Sequence, residues 1–184
     1  TLTLLFVTAG AHAQPAYMVA DLGDTVPYGY DIYSGPLSEH LEVDGKFYFF
    51  SDDGIHGREL WRSDGTALGT FLIRDLCPGT CGSRFPNWSD MAPLGDQVVF
   101  VADDGVHGME LWRFDGTTAT RLTDINPGAG SANPSGLFGT NANNLAFQAT
   151  DGVTGGELYR LNLTGDIVTL VKNIAPDAVS SDFE

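Results

Sequence analysis

The residues in this sequence that are best suited to chemistry are acidic side chains recurring at matching places. Three glutamates stand in similar surroundings, each followed by a leucine and an aromatic residue: Glu59, Glu110 and Glu157. A positioned carboxylate can act as a general acid or base. A catalytic group normally belongs to a single constellation, however, whereas this carboxylate is repeated. We therefore predict an architectural role, in which each glutamate accepts hydrogen bonds from neighbouring glycine-loop amides or pairs with an arginine.

Aspartates form a second group, in the short loops that precede these glutamates. They are Asp52, Asp53, Asp103, Asp104 and Asp151. Calcium takes about six to eight oxygen ligands, and each loop supplies only a few even with His56 or His107 beside them. The order of residues does not match an EF-hand loop, and Asp-Gly is a favoured turn pair. Calcium binding is therefore an alternative to the main expectation, which is that the chain carries no cofactor.

The two cysteines, Cys77 and Cys81, form the run C-P-G-T-C. In an exported chain this spacing predicts a local disulfide around a turn. The C-x-x-C spacing of redox pairs is absent, and two cysteines alone make a poor zinc site. Because the enclosed loop is very short, its entropic contribution to stability should be modest.

The glutamates belong to a sequence repeat, which predicts a series of similar structural units. Residues 52–66 (DDGIHGRELWRSDGT) return as residues 103–117 (DDGVHGMELWRFDGT) and, in degraded form, as residues 150–161 (TDGVTGGELYRL). Self-similarity with a period of about 50 residues indicates a repeat architecture. In the third copy Thr154 replaces the histidine and Tyr159 replaces the tryptophan.

Each copy carries signals for four short strands. Aromatic and branched residues alternate before the shared loop, the Glu-Leu-Trp/Tyr-Arg segment follows, and tight turns separate the strands. The fourth strands are predicted over residues 71–76, 119–125 and 168–174. Four antiparallel strands in a repeat of this length are typical of a propeller blade. We predict an all-β, β-propeller-like fold with about three four-stranded antiparallel blades, as a fragment of a larger propeller.

The predicted blades have definite boundaries. They cover residues 36–85, 86–132 and 133–178, and residues 179–184 look like the start of a further repeat. Residues 14–35 hold an orphan outer strand and a linker. Residues 1–13 combine an apolar run with an A-x-A cleavage pattern, which predicts a signal peptide clipped at its start. This run is too short to span a bilayer, so we predict a secreted or cell-surface protein without a transmembrane span.

The charge balance restricts the partners of the chain. There are 9 lysines and arginines against 24 aspartates and glutamates, for a formal net charge of −15. Nucleic acids and anionic membranes both favour basic surfaces, so neither is an expected partner. The expected partners are a protein or glycan ligand outside the cell, together with the missing blades of the same chain.

The aromatic residues that recur beside the glutamates are Trp61, Trp112 and Tyr159. Packing between blades needs a large flat side chain at each interface, which explains their recurrence. Sugar stacking would require the same rings to be exposed. We therefore predict a structural role for all three.

Four residues do not recur and lie on strands predicted to line a central channel: Glu39, His40, Trp88 and Asp90. A glycosidase needs two carboxylates at a defined separation, so Glu39, His40 and Asp90 are candidate catalytic residues. Trp88 is a candidate ligand contact. Solvated polar side chains and ordinary packing account for the same residues, so no catalytic residue is assigned.

The shared run DGxHGxELWxxDGT resembles the bacterial ELWxxDGT-repeat family, through residues 53–66 and again through residues 104–117. The resemblance implies an exported, propeller-like scaffold at or outside the cell surface, and it implies no established reaction. The favoured hypothesis is a non-enzymatic repeat scaffold for binding or surface interaction. The alternatives are a secreted propeller hydrolase acting on glycans and a calcium-stabilised adhesive or structural repeat protein.

Overall fold

A computed structural model describes residues 40–78 and 91–173 of the chain. All regular secondary structure within these ranges is β-strand, and the strands form three separate four-stranded antiparallel sheets. The prediction of an all-β fold with three four-stranded antiparallel units is confirmed, and the open sheets are consistent with propeller-like blades. The predicted signal peptide, the orphan outer strand and the start of a further repeat lie outside the described residues.

Each sheet is a meander whose strands follow chain order. The first sheet contains β1 (His40–Val43), β2 (Lys46–Asp52), β3 (Arg58–Ser63) and β4 (Phe71–Leu72). The second contains β5 (Met91–Leu94), β6 (Gln97–Asp103), β7 (Met109–Phe114) and β8 (Ala119–Arg121). The third contains β9 (Ser135–Asn141), β10 (Asn144–Thr150), β11 (Gly156–Asn162) and β12 (Ile167–Lys172).

The tight turns between the first two strands of each sheet use different chemistry. Asp44 and Gly45 both adopt the left-handed conformation, with φ of 52° and 67°, as a two-residue hairpin turn requires. The pair Asn143-Asn144 in the sequence predicts a turn at these two residues, but the third turn lies one residue earlier, because Asn144 already pairs with Asn141 in the ladder. The Asn141 side chain accepts the Asn143 amide at 3.0 Å and so supports this turn.

The fourth strands of the first two sheets are shorter than predicted. Only Phe71–Leu72 and Ala119–Arg121 pair as strands, whereas the prediction extended both to residues 76 and 125. Ile73 and Leu122, directly beyond the two strands, each still donate to the adjacent strand, and amides farther along the chain donate to a buried glutamate instead. Hydrophobic periodicity cannot reveal this competing acceptor.

The three sheets pack face to face through two apolar interfaces. The first interface joins the first and second sheets through Tyr48, Phe50, Leu60, Val98, Phe100 and Trp112. The second interface joins the second and third sheets through Val99, Val101, Leu111, Leu145, Phe147 and Tyr159. Burial of each such side chain stabilises the fold by about 1.5–3 kcal/mol relative to exposure.

The second sheet is the centre of this stack. Successive residues of a strand point to opposite faces, yet all residues from Val98 to Ala102 in β6 are buried. Both faces of this sheet are therefore covered by protein. A strand buried on both faces shows a continuous apolar run instead of alternation, as the segment VVFVA does.

Polar contacts also cross the interfaces between sheets. Arg74 donates to the carbonyl oxygen of Ala119 at 2.8 Å across the first interface. Arg113 and Asp166 form an ion pair at 2.8 Å across the second. These contacts act together with the apolar interfaces in fixing how one sheet sits on the next.

Candidate functional site

The recurring glutamates lie in the interior of the sheets. Glu110 is fully buried, on β7. Its carboxylate accepts hydrogen bonds from the Thr123 hydroxyl and from the backbone amides of Ile125 and Asn126, the latter two at 3.1 and 3.3 Å. Burial raises the pKa of Glu110, and these three hydrogen bonds act in the opposite direction. The carboxylate therefore ties β7 to the segment that follows β8.

The first and third sheets place their glutamates in the same way. Glu59 and Glu157 are also fully buried. Glu59 accepts the backbone amide of Cys77 at 3.2 Å, and Cys77 precedes a Pro-Gly pair just as Asn126 does. The sequence hypothesis offered glycine-loop amides or an arginine as the partners of these glutamates. The partners of Glu110 are instead a hydroxyl and two amides beyond the fourth strand.

The recurring aromatic residues occupy matching register positions. Trp61, Trp112 and Tyr159 are paired across the strands with Phe49, Phe100 and Phe147, respectively. Trp112 and Tyr159 are buried at the first and second interfaces, respectively, and Trp61 is half-buried on the first sheet. The indole N–H groups of both tryptophans donate to backbone carbonyls, at 3.2 Å in each case. Neither interface ring is available for stacking on a sugar.

Cys77 lies where the first sheet meets the second. It is buried and disulfide-bonded. Its predicted partner, Cys81, lies outside the described residues. A Cβ atom added to Gly105 would come within 3.0 Å of the Cys77 sulfur, so glycine at this position allows the second sheet's loop to approach closely.

The loops between the second and third strands of each sheet hold three of the predicted calcium ligands, Asp53, Asp104 and Asp151. We call these loops the hairpin tips, and they comprise residues 53–57, 104–108 and 151–155. In the first tip, Asp53 accepts the amides of Ile55 and His56 through Oδ1, at 3.0 and 2.9 Å. Its Oδ2 lies 2.7 Å from Nδ1 of His56. One carboxylate thus satisfies the backbone of the tip and orients an imidazole.

The second and third tips repeat this geometry. Asp104 accepts the amides of Val106 and His107 at 3.0 and 2.8 Å and contacts the His107 ring at 2.7 Å. In the third tip, Asp151 accepts the amide and the hydroxyl of Thr154 at 2.8 and 3.0 Å. Threonine therefore preserves the turn without the imidazole.

The residues before the tips contribute one further hydrogen bond each. Asp52 and Asp103 accept the amides of Gly54 and Gly105 at 2.7 and 2.8 Å. In each predicted calcium ligand, one carboxylate oxygen therefore already accepts a hydrogen bond that stabilises the turn. Among residues 40–78 and 91–173, no group of three or more His, Cys, Asp or Glu side chains is arranged to hold a metal ion.

The electrostatics of the first tip follow from these bonds. Partial burial alone would raise the pKa of Asp53, but the His56 amide, the His56 ring and the Ile55 amide more than offset it and hold the pKa at about 2. The hydrogen bond that the His56 ring donates to Asp53 in turn raises the pKa of His56. Burial opposes the shift at Asp104 too, where the His107 ring and the amides of His107 and Val106 together lower the pKa.

Sequence reasoning missed one recurring feature of the tips. The residue after each glycine is a branched aliphatic one that points into solvent, namely Ile55, Val106 and Val153. The available signal was the invariably aliphatic character of this position in all three copies. Local pattern alone does not distinguish an exposed branched residue from one that is buried in a strand.

The predicted channel residues are mostly not described. His40 begins β1, is exposed, and has its ring centroid 6.2 Å from that of Phe47. Glu39, Trp88 and Asp90 lie outside the described residues.

No family model matches the chain, and no curated protein matches it. None of the described residues forms a helix long and apolar enough to cross a bilayer.

Proposed function

We propose that this chain is an exported, non-enzymatic repeat scaffold for binding or surface interaction. One observation carries the proposal. The carboxylates that recur in every repeat are fully buried, and the Glu110 oxygens accept hydrogen bonds from a hydroxyl and two backbone amides. Groups committed in this way hold the scaffold together and are not free to transfer protons to a substrate.

The proposed location and partners rest on the sequence. The signal-peptide pattern at residues 1–13 and the resemblance to the exported ELWxxDGT-repeat family support a secreted or cell-surface protein. The net charge of −15 disfavours nucleic acids and anionic lipids. A protein or a glycan outside the cell is the class of partner that remains, and loops held by a rigid scaffold are the usual place to bind it.

A binding screen that also records turnover tests this proposal. The intact chain is immobilised and exposed to a panel of extracellular glycans and matrix proteins, and each ligand is analysed by mass spectrometry after incubation. We expect saturable binding of at least one ligand, which is recovered unchanged. Recovery of a shortened glycan would support the glycan hydrolase and contradict the scaffold.

A further inference from the structure

A row of exposed aliphatic side chains runs along the hairpin tips. Ile55, Val106 and Val153 are 68%, 62% and 73% exposed, respectively. We call these three residues the tip row. Each follows a glycine in the left-handed conformation, with φ between 75° and 79°. The same residue type is thus presented in the same way by three successive sheets.

Recurrence distinguishes the tip row from ordinary surface residues. A single exposed aliphatic side chain needs no explanation, and Leu68, which is 97% exposed in the β3–β4 turn, is an example with no counterpart in the other repeats. In the tips, however, the amide of each aliphatic residue is accepted by the preceding aspartate at 2.9–3.0 Å. The backbone that presents these side chains is therefore fixed before any partner arrives.

The three tips lie at one end of the stacked sheets. A Cβ atom on Gly105 would meet the Cys77 sulfur at 3.0 Å, and one on Gly152 would meet the Asn126 side chain at 2.9 Å. Cys77 and Asn126 occupy equivalent positions before a Pro-Gly pair. The second and third tips therefore rest on the preceding repeat in the same way, and the three tips follow one another in the order of the stacked sheets.

The spacing along this line selects a type of ligand. Sheets that pack face to face lie about 10 Å apart. A polypeptide in the polyproline II conformation has about three residues per turn and rises about 3.1 Å per residue, so every third side chain lies on one face at intervals of about 9 Å. Such a chain can place one aliphatic residue against each member of the tip row.

The charge around the tips selects the rest of the ligand. The segments 52–57, 103–108 and 150–155 contain five aspartates and no lysine or arginine. Within the described part of the chain, Asp52 and Asp103 form no ion pair. Basic side chains between the aliphatic positions of a ligand would meet the carboxylates of Asp52 and Asp103.

We propose that the tip row binds an extended segment of another protein that carries an aliphatic residue at every third position and basic residues between them. The inference rests on the proposed binding function and assigns it a surface and a class of partner. The side chains of the tip row themselves offer no flat ring for stacking on a sugar, which favours a polypeptide over a glycan as the ligand of this row.

Fluorescence anisotropy with designed peptides tests the inference. The probe is a labelled (Lys-Pro-Val)4 peptide, and the controls are (Lys-Pro-Ser)4, which lacks the aliphatic residues, and (Glu-Pro-Val)4, which lacks the positive charge. We expect the intact chain to bind the probe at least tenfold more tightly than either control. The triple variant Ile55→Ser, Val106→Ser, Val153→Ser should lose at least tenfold in affinity, whereas Leu68→Ser should change it less than twofold.

Several results would overturn the inference. Equal affinity for (Lys-Pro-Ser)4 would show binding by charge alone, and an equal loss in Leu68→Ser would show unspecific apolar contact. Self-association that disappears in the triple variant would assign the row to a second copy of the chain. If the peptide fails to bind while the ligand screen gives saturable binding that the triple variant retains, the tip row is wrong and the scaffold proposal stands. Turnover of a ligand in that screen removes the scaffold proposal independently of the peptide result.

Discussion

At the scale of single residues, the acidic side chains have two structural tasks. Glu110 satisfies amides that no strand can satisfy, in the interior of the stack. Asp53 performs a similar task at the surface, where it accepts two amides of the tip and orients His56. An unsatisfied buried hydrogen-bond donor costs about 1–3 kcal/mol of folding free energy. This cost explains why the same residue type recurs at each of these positions.

The first prediction concerns Glu110→Gln. The amide group keeps the volume but replaces one acceptor oxygen with a donor, which leaves a buried N–H or O–H without an acceptor. We expect the free energy of unfolding to fall by about 1–3 kcal/mol, as measured by urea denaturation. The exposed Glu42→Gln is the control and should change the free energy by less than about 0.5 kcal/mol. Equal effects of the two substitutions would remove the structural role assigned to Glu110.

The second prediction concerns the pH dependence contributed by Asp53. Its pKa of about 2 in the folded chain lies below the unfolded value of 3.8, so the carboxylate stabilises the fold above about pH 4 and loses this effect as the pH falls towards 2. We expect Asp53→Asn to lower the free energy of unfolding by about 1 kcal/mol at pH 7 and to match the parent chain near pH 2. The control, Asp96→Asn, alters an exposed turn. A difference between parent and Asp53→Asn that stays constant from pH 7 to pH 2 would contradict the assignment.

At the scale of elements, the hairpin tips were the most predictable part of the chain and the fourth strands the least. Gly54, Gly105 and Gly152 stand in the predicted turns because each needs a positive φ, a property that local sequence encodes. Beyond β4 and β8, amides that periodicity assigned to the strands, such as that of Ile125, donate to a glutamate side chain of the neighbouring strand. Such a contact is not visible in the local sequence, so periodicity overestimated both strands.

The candidate site was only partly predictable for the same reason. The glutamates could be assigned to the scaffold because they recur, but their partners could not be identified from spacing alone. The tip row was missed because branched residues such as Val106 favour strands as well as exposed turns in this sequence. Only the structure shows that the side chains of the tip row are exposed to solvent.

The third prediction compares two glycines that share a backbone conformation. Gly108 and Gly116 both have positive φ, of 66° and 94°, so Gly→Ala carries a similar conformational strain of about 1–2 kcal/mol at each. A Cβ on Gly108 would also lie 2.6 Å from the Gly130 carbonyl oxygen, whereas one on Gly116 meets nothing within 4 Å. We expect Gly108→Ala to cost a further ~1–3 kcal/mol, as measured by thermal unfolding. Similar losses of stability in the two variants would show that the structure around Gly108 accommodates an added Cβ atom readily.

At the scale of the whole molecule, the stack depends on its central sheet. The first and second interfaces use opposite faces of β6, so a change in one face should be felt across two sheets. Apolar burial supplies most of the stabilisation, and the ion pair between Arg113 and Asp166, which is partly exposed, contributes little beside it.

The fourth prediction compares two equivalent tryptophans. Trp112 is buried at the first interface, whereas Trp61 is half-buried on the first sheet. We expect Trp112→Ala to cost about 3–5 kcal/mol and Trp61→Ala clearly less, because cavity formation adds to lost burial only where the site is enclosed. Chemical denaturation of both variants measures the difference. A larger loss for Trp61→Ala would contradict the stacking described for the second sheet.

The fifth prediction concerns calcium. The aspartates of the tips already accept backbone amides, for example Asp104 from Val106 and Asp151 from Val153. An ion bound to the folded chain would raise the melting temperature. Because these oxygens are already engaged, we expect no change in the melting temperature when a chelator is added. A decrease of several degrees would support the calcium-stabilised repeat protein instead.

The structural role of the recurring glutamates is tested most directly by amide hydrogen exchange. The amides of Ile125 and Asn126 lie beyond β8 and are held by Glu110, whereas the Thr118 amide is held by the exposed Asp115. We predict that Ile125 and Asn126 exchange as slowly as the strands of the second sheet and much more slowly than Thr118. Exchange of all three amides at the same fast rate would contradict the account, because the buried carboxylate would then not be holding the repeat together.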